Sequence, residues 1–142
     1  MERNNDLGFN YRISVIMRTG LPIVGQSLAG VEVFSALDLE ARNAIAELCH
    51  GAEFAAGDTI FGHMDTSRDV FLILSGKVEV NLYSANGRRI TFNEKGAGQM
   101  VGELAAIDGQ PRSAQVIAKT TCLTAAISPD DFSHIIAANP SD

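Results

Sequence analysis

The sequence predicts a mainly β domain with flanking helices, an α+β fold whose core is antiparallel sheet, and two patterns support this prediction. Between about residue 52 and residue 127, short runs alternate between apolar and polar residues, and turn-forming residues separate the runs. On both sides of this stretch, apolar residues recur at helical spacing. Many short strands joined by turns are typical of a β-sandwich or a barrel. The expected order is therefore helix, β core, helix.

The first 30 residues do not favour a single structure. The segment FNYRISVIM alternates at first and is then continuously apolar, so helix and strand both fit it. The segment TGLPIVGQSLAG follows with three glycines and one proline, which is typical of a connector. We therefore expect residues 1–30 to be an N-terminal extension and residues 31–142 to be the main domain.

The segment SALDLEARNAIAELCHG predicts the first helix, from about residue 37 to residue 49. Ser35 and Asp38 have the spacing of a capping box, in which the first side chain caps the helix start. Apolar residues such as Ile45 then recur at helical spacing. Gly51 stands where a left-handed residue would end the helix.

The strands are predicted from alternation and from turn residues. In KVEVNLY, Val80 lies on the apolar face, and in RITFN the residues Ile90 and Phe92 share one face. Asn86 and Gly87 lie between these two runs and supply the positive φ angles of a tight hairpin turn. The run DVFLIL is continuously apolar, which predicts a strand buried on both faces.

The segment SPDDFSHIIAANP predicts the last helix. Ser128 is a suitable N-cap, Pro129 suits the first helical position, and Asp131 completes a capping box. The predicted apolar stripe consists of Phe132, Ile135 and Ile136. We expect the helix to end before the Asn-Pro pair at residues 139 and 140.

Composition excludes several classes of function. The chain has 142 residues and a net charge of −6, and Arg88-Arg89 beside a turn is its only basic pair. Nucleic-acid-binding surfaces need clusters of Lys and Arg, so we expect this chain to bind no nucleic acid. No segment has the length of a signal peptide core or of a membrane span, which predicts a cytoplasmic protein that does not contact membranes.

Catalytic and metal-binding patterns are also missing from the sequence. The two cysteines, Cys49 and Cys122, cannot form a disulfide framework or a zinc-binding pattern. The three histidines do not have metal-ligand spacing on a helix. No Ser, Cys or Lys stands in a recognisable nucleophile motif. We therefore expect neither a metal cofactor nor an enzymatic activity.

The segment VGELAAIDGQPRSAQV, residues 101–116, carries the candidate binding site. The run GELAAIDG predicts a short helix inserted among the strands. Gly102 lets the backbone approach a ligand closely. The amides of Glu103, Leu104 and Ala105 lie at the helix start, where unpaired N–H groups suit an anion such as phosphate.

Arg112 and Ser113 follow Pro111, which directs them back toward the same helix start. Arginine is a two-pronged donor for phosphate oxygens, and the serine adds a hydroxyl. Glu103 would repel a phosphate, so it is better suited to accept a hydrogen bond from a neighbouring sugar hydroxyl. The alternative is that Glu103 and Arg112 are an exposed surface pair, which would contribute only about 0–1 kcal/mol.

This segment resembles the phosphate-binding cassette of the cyclic-nucleotide-binding domain, whose usual pattern is Gly-Glu-Leu/Met-Ala, a short gap, then Pro-Arg-Ala/Ser/Thr-Ala. The resemblance runs from about Phe34 to Pro140 and includes AAGDTIF and VFLILSGKVEV. The C-terminal part, AKTTCLTAAISPDDFSHIIAANP, is most similar to the sensor domain of bacterial Crp/Fnr-type transcription regulators. The resemblance implies an antiparallel β-roll or jelly-roll barrel with a short phosphate-binding helix and N- and C-terminal helices.

The resemblance also implies roles for single residues. Glu103 would accept the ribose 2′-hydroxyl, and Arg112 would neutralise the cyclic phosphate. Four further groups would complete the phosphate cage: Ser113 and the amides near Gly102, Leu104 and Ala105. Val80 and Phe92, on inward strand faces, would line the purine pocket. The sequence departs from the family at Val101, Ala106 and Gln115, where Phe, Leu and Thr or Ser are common, and this affects packing more than binding.

The function implied by the resemblance is cyclic nucleotide sensing, with cAMP as the first candidate ligand and cGMP as the second. The sensor would be the effector-binding part of a Crp/Fnr-type regulator and would form a homodimer in the full-length protein. The same fold is also compatible with a sensor that regulates a channel or a kinase, or with a dimerisation module that binds no nucleotide. The Fe–S branch of the family has an N-terminal cysteine cluster, which this sequence lacks.

Overall fold

The structure is a computed structural model that describes residues 16–84 and 86–138. Within these residues, nine strands form two sheets whose paired neighbours are all antiparallel. The strands are β1 (Ile16–Leu21), β2 (His50–Phe54), β3 (Thr59–Phe61), β4 (Val70–Ser75), β5 (Lys77–Tyr83), β6 (Arg89–Gly96), β7 (Met100–Val101), β8 (Ala114–Ala118) and β9 (Cys122–Ile127). The order is β1-β2-β9-β4-β7 in the first sheet and β3-β8-β5-β6 in the second.

Strand β4 separates two apolar cores. Leu72 packs in a core that the helices cover, together with Phe34 and Phe132. The next residue, Ile73, packs in a second core between the two sheets, together with Val116. Both Leu72 and Ile73 are 0% exposed. Because successive side chains of a strand point to opposite faces, this burial confirms that the run DVFLIL is a strand covered on both sides.

The hairpin between β5 and β6 forms where the Asn-Gly turn predicts it. The Ser84 amide donates a hydrogen bond to the Arg88 carbonyl oxygen at 2.9 Å. Gly87 has a φ of 81°, a left-handed conformation that glycine adopts without the steric cost of a side chain.

The register of this hairpin shifts by one residue near the middle of β6. Val80 pairs with Asn93, but the next residue, Asn81, pairs with Thr91, so Phe92 is the extra residue of a bulge. Ile90, which is predicted to share one face with Phe92, is 51% exposed. The side chain of Phe92 lies outside the described part of the structure. Beyond the bulge, the residues of β6 that face inward differ from those that strict alternation predicts.

The first α-helix, α1 (Leu39–Ala46), is shorter than predicted and has a different cap. Asp38 is the N-cap, and its side chain accepts a hydrogen bond from the Ala41 amide at 2.9 Å. The predicted cap, Ser35, has helical dihedral angles at the end of a 3₁₀ turn (Glu32–Phe34), so it lacks the extended geometry of an N-cap. The assignment of the cap to Ser35 was therefore wrong.

Gly51 is not a helix cap but a residue of β2. The chain passes from α1 into this strand through only a few residues. A Cβ atom at Gly51 would lie 2.5 Å from the Leu21 carbonyl oxygen on β1. The glycine therefore serves the close approach of two strands, which local sequence patterns do not reveal.

The second α-helix, α2 (Glu103–Asp108), is the short predicted insertion, and the third, α3 (Pro129–Ala138), begins as predicted. The Ser128 hydroxyl accepts a hydrogen bond from the Asp131 amide at 3.2 Å. Phe132 and Ile135 are buried, whereas Ile136 is 44% exposed. The predicted helix end at residues 139 and 140 lies outside the described residues.

Part of the predicted N-terminal extension belongs to the first sheet. β1 pairs with β2, so the strand alternative is correct for residues 16–21, and residues 1–15 lie outside the described part. Leu28, in a 3₁₀ turn (Gly25–Leu28), is 0% exposed in the core under the helices. The division of the chain at residue 30 stays a prediction. Across residues 16–84 and 86–138, no helix is long and apolar enough to cross a membrane.

Candidate functional site

Helix α2 is bounded at both ends by left-handed glycines. Gly102 precedes the helix with a φ of 89°, and Gly109 follows it with a φ of 71°. The Gly109 amide donates to the Ala105 carbonyl oxygen at 3.0 Å, which closes the last turn. These glycines mark the two ends of the helix, between β7 and the segment that leads to β8. Glu103 is the first helical residue and is half-buried.

Among residues 16–84 and 86–138, Arg112 has the largest side chain that is almost fully buried, with 2% exposure. Its guanidinium donates from Nη1 to the Gly102 carbonyl oxygen at 2.8 Å and from Nη2 to the Asp69 carbonyl oxygen at 2.7 Å. It also stacks on the Phe61 ring, with 3.9 Å from Cζ to the ring centroid. The alternative that Arg112 and Glu103 form an exposed surface pair is therefore wrong for Arg112.

One nitrogen of the Arg112 guanidinium, Nε, is not used by the hydrogen bonds to the backbone. Its Nε is buried and has no hydrogen-bond partner among the described residues. Burial lowers the pKa of Arg112, and the carboxylates of Asp69 and Asp65 act in the opposite direction. Because a buried donor without a partner is costly, the site is arranged to receive an acceptor, and an anion suits it best.

A short loop after β3 holds the backbone of Arg112 in place. The Met64 amide donates to the Arg112 carbonyl oxygen, and the Arg112 amide donates to the Asp65 carbonyl oxygen, both at 2.8 Å. The Asp65 side chain closes the loop by accepting from the Gly62 amide at 2.8 Å. Met64 has a φ of 72°, an uncommon conformation for a residue with a side chain. Two reciprocal hydrogen bonds therefore join this loop to the end of the cassette.

The second sheet and the segment around α2 line a partly open cavity of about 250 Å³. Seven of the eight residues predicted for the site line it: Val80, Gly102, Glu103, Leu104, Ala105, Arg112 and Ser113. The eighth, Phe92, lies on β6, and its side chain is outside the described residues. Within the cavity, Ala105 is buried and Leu104 is 64% exposed. The structure thus brings residues from β5 and from both ends of the cassette to one place.

Sequence reasoning missed several residues that line the cavity. No sequence pattern indicated Phe61, because its contact with Arg112 depends on the pairing of β3 with β8. Leu82 lies on the same face of β5 as Val80, so alternation was sufficient to find it. Asn93 and Lys95 line the cavity from β6. The alternation of apolar and polar residues did not predict this, because the register of β6 shifts just before Asn93.

Among the described residues, no group of three or more His, Cys, Asp or Glu side chains could hold a metal ion. The two cysteines are apart from the cavity and are free thiols, Cys49 half-buried and Cys122 buried. Burial raises the pKa of both thiols, to about 11 for Cys49, where Asp131 adds to the effect. Four charged side chains line the cavity: the cations Lys95 and Arg112 and the carboxylates Glu103 and Asp108.

Comparison with protein families matches residues 52–139, more than half of the chain, to the cyclic nucleotide-binding domain family. Among curated proteins, the cAMP-activated global transcriptional regulator CRP of Haemophilus influenzae is 33% identical over 93 residues. The match covers 65% of this chain and 42% of that protein. The chain thus spans less than half the length of this relative.

Two solved structures show the same architecture. The regulatory subunit of a cAMP-independent protein kinase A from Trypanosoma brucei matches with a TM-score of 0.74 at 28% identity, over 79% of this chain and 41% of that chain. A cyclic nucleotide-binding domain from Methylobacillus flagellatus matches with a TM-score of 0.69 at 25% identity, over 82% of this chain and 66% of that chain. Together with the two antiparallel sheets, these matches confirm the predicted β-roll fold class.

Proposed function

Because the chain belongs to the cyclic nucleotide-binding domain family, we propose that it is a regulatory sensor of cyclic nucleotides, with cAMP as its principal ligand. We further propose that it is the effector-binding part of a Crp/Fnr-type transcription regulator. The relative from Haemophilus influenzae, which is described as cAMP-activated, supports both parts of the proposal.

The observation that carries the proposal is the buried guanidinium of Arg112 in the wall of the cavity. It keeps its Nε without a partner among the described residues, and Glu103 lies in the same cavity. A cyclic nucleotide joins one phosphate charge to one free ribose hydroxyl, which suits one cation and one carboxylate. Arg112 and Glu103 therefore match the two polar ends of such a ligand.

The roles that we propose for single residues follow from this match. Arg112 binds the cyclic phosphate, and Ser113 adds a hydroxyl donor to it. The carboxylate of Glu103 accepts a hydrogen bond from the ribose 2′-hydroxyl. The backbone amides near Gly102, Leu104 and Ala105 complete the phosphate site. Val80 and Phe92 belong to the wall that covers the purine.

Regulation by population shift follows from the contact between α2 and α3. A ligand that binds one arrangement of α2 better than another shifts the population toward the preferred one. Because α3 packs against α2, the shift changes the preferred position of the C-terminal helix. In a longer regulator this helix would transmit the change to the output.

The proposal includes the context of the domain. We propose a cytoplasmic protein that forms a homodimer in its full-length form and acts as a regulator rather than as an enzyme. The net charge of −6 supports the further proposal that this chain itself binds no nucleic acid.

Titration calorimetry of the full chain with cAMP and with cGMP tests the function. We expect binding of cAMP, and we expect Arg112→Ala to lose about 2–5 kcal/mol of binding free energy because the phosphate loses its partner. Arg89→Ala, at an exposed hairpin position, is the matched control. Arg112→Lys retains the charge, and it replaces the alanine variant in this test if the alanine variant unfolds. No binding by the parent protein at millimolar ligand would favour a dimerisation module that binds no nucleotide.

A further inference from the structure

The outer face of the second sheet, which faces away from the cavity, carries a contact between β5 and β8. Leu82 of β5 and Val116 of β8 line the cavity. Because successive side chains of a strand point to opposite faces, their neighbours Tyr83 and Gln115 lie on the outer face. The Tyr83 hydroxyl donates a hydrogen bond to Gln115 Oε1 at 3.3 Å. The two strands are therefore joined behind the wall of the cavity.

His63 connects the loop after β3 to the same face. Its ring lies 4.6 Å from the Tyr83 ring, measured between the ring centroids, with 34° between the two planes. This separation is within the range in which aromatic pairs attract each other. His63 is exposed, so the stack is a surface contact rather than a consequence of core packing. We call His63, Tyr83 and Gln115 the outer brace.

The outer brace and the backbone of Arg112 form a closed ring of contacts. The two residues after His63 form the reciprocal backbone hydrogen bonds with Arg112, both at 2.8 Å. His63 contacts Tyr83, and Tyr83 contacts Gln115. Gln115 follows Arg112 by only three residues, at the start of β8. The segment that carries the buried cation is thus held by the loop on one side and by β5 on the other.

The loop depends on such contacts to keep its shape. Met64 has a φ of 72°, and an unfavourable conformation of this kind persists only where the surrounding structure holds it. The loop has little apolar burial of its own, because residues 63–68 are all exposed. The stack of His63 on Tyr83 therefore adds a contact that favours the loop conformation in which the backbone of Arg112 is hydrogen-bonded.

We propose that the outer brace positions Arg112 for the ligand, and that His63 is a positioning residue of the site although it is not among the residues that line the cavity. This inference rests on the proposed function. A phosphate binds better when the loop is docked on Arg112 than when it is not, because only the docked loop fixes the backbone of its partner. The apparent affinity then falls with the fraction of docked molecules. His63 raises this fraction from outside the cavity.

Gln115 makes the outer brace a property of this sequence rather than of the family pattern. Thr or Ser, which are common at this position in the family, have side chains two atoms shorter than that of glutamine. Neither would bring an acceptor to the position of Gln115 Oε1. The residue that is common in the family therefore supplies a conservative test of the brace, the variant Gln115→Thr.

The first experiment compares the dissociation constant of cAMP for the parent protein, His63→Ala and His63→Phe. Alanine removes the ring, and we expect it to weaken binding by about three- to tenfold. Phenylalanine keeps a ring for the stack and should bind cAMP within about twofold of the parent. The matched control His50→Ala changes an exposed histidine on β2, in the other sheet, and should also stay within about twofold.

The second experiment is a double-mutant cycle in cAMP binding. Tyr83→Leu removes the partner ring, so we expect the variant with both His63→Ala and Tyr83→Leu to bind no more weakly than the weaker single variant. Gln115→Thr should weaken cAMP binding by about two- to threefold, because the Tyr83 hydroxyl loses its acceptor while the stack remains. Urea unfolding of every variant measures the accompanying change in the free energy of unfolding.

Several results would overturn the inference. If His63→Ala lowers the free energy of unfolding but binds cAMP as the parent does, the brace only stabilises the fold and the proposed function stands. If His63→Phe binds as weakly as His63→Ala, or if the losses from His63→Ala and Tyr83→Leu add, the stack does not position Arg112. If the parent protein does not bind cAMP, the proposed function fails and the inference fails with it.

Discussion

The Gly102 carbonyl oxygen accepts a hydrogen bond from Arg112 Nη1 at 2.8 Å, and residue 102 has no room for a side chain beside the same guanidinium. A Cβ atom on residue 102 would lie 2.6 Å from Nη1, 3.0 Å from the Asp69 carbonyl oxygen and 3.2 Å from the Phe61 ring. The conformation at Gly102, with a φ of 89°, also disfavours any side chain. The start of α2 and the buried cation are therefore packed as one unit.

Replacing Gly102 with alanine should disturb this unit. We expect Gly102→Ala to weaken cAMP binding, and to lower the free energy of unfolding by about 1–3 kcal/mol beyond the cost of the φ angle. Gly57→Ala is the matched control, because Gly57 has a φ of 92° and no atom within 4 Å of the added Cβ. Urea unfolding of both variants measures the difference. If both variants lose the same free energy of unfolding, the close packing around Arg112 contributes nothing to stability.

Glu103→Gln should weaken cAMP binding because a charged acceptor becomes a neutral one. A hydrogen bond to a charged group contributes about 1.5–3 kcal/mol. We therefore expect the variant to lose part of that amount from its free energy of cAMP binding. The ligand supplies the control, since 2′-deoxy-cAMP lacks the hydroxyl that Glu103 is proposed to bind. Calorimetry should show that the deoxy ligand binds the parent and the variant almost equally. A loss of the same size for both ligands would contradict the ribose assignment.

The cap of α1 gives a direct test of the revised helix start. Asp38→Ala should lower the free energy of unfolding by about 1 kcal/mol, because the Ala41 amide loses its acceptor. Ser35→Ala removes the side chain that the capping-box pattern indicated and should have little effect. Paired urea unfolding curves distinguish the two positions. A larger loss for Ser35→Ala would restore the cap predicted from the sequence.

The half-buried thiol of Cys49 should lower the free energy of unfolding at alkaline pH. Burial raises the pKa of its thiol from 9.0 to about 11, and Asp131 adds to this shift. Between these values the unfolded chain releases the thiol proton while the folded chain keeps it, so the free energy of unfolding falls as the pH rises. Below pH 9 both states keep the proton and the effect disappears.

The measurement compares the parent protein with Cys49→Ala under reducing conditions at pH 8 and pH 10. At pH 10 the thiol should account for about 1 kcal/mol of lost stability in the parent that the variant does not show. Other alkaline titrations, including that of Cys122, are common to both proteins and cancel in the comparison. An equal pH dependence in the two proteins would mean that the Cys49 thiol ionises normally.

Much of the site was predictable because its signals are local. The Gly-Glu pair, the short helix and the Pro-Arg-Ser-Ala segment lie within 16 consecutive residues, so a single stretch of sequence holds Glu103 and Arg112. The same locality explains the correct hairpin at Asn86 and Gly87. The predicted cap at Ser35 failed because two residues with similar capping ability stand three positions apart, and the preceding 3₁₀ turn decides between them.

The contacts of the buried cation were not predictable from the sequence. Phe61 and Asp69 reach Arg112 from the loop and strands that lie more than 40 residues earlier in the chain. Their positions follow from sheet pairing, which no local pattern encodes. The presence of Asn93 and Lys95 in the cavity depends on a bulge, and a bulge changes the inward face without changing the composition of the strand.

The sequence by itself determined the β core with flanking helices, the hairpin and the identity of the cassette. These features depend on the periodicity of apolar residues, on turn residues and on the spacing of motif residues, all of which involve neighbours along the chain. Only the tertiary structure decided that Arg112 is buried against Gly102, Asp69 and Phe61, and that β6 gives the cavity a polar wall. The physical reason is that burial and hydrogen-bond partners depend on which distant strands meet. A residue's charge is present in the sequence, but the environment that gives the charge its function forms only when the two sheets and the cassette pack together.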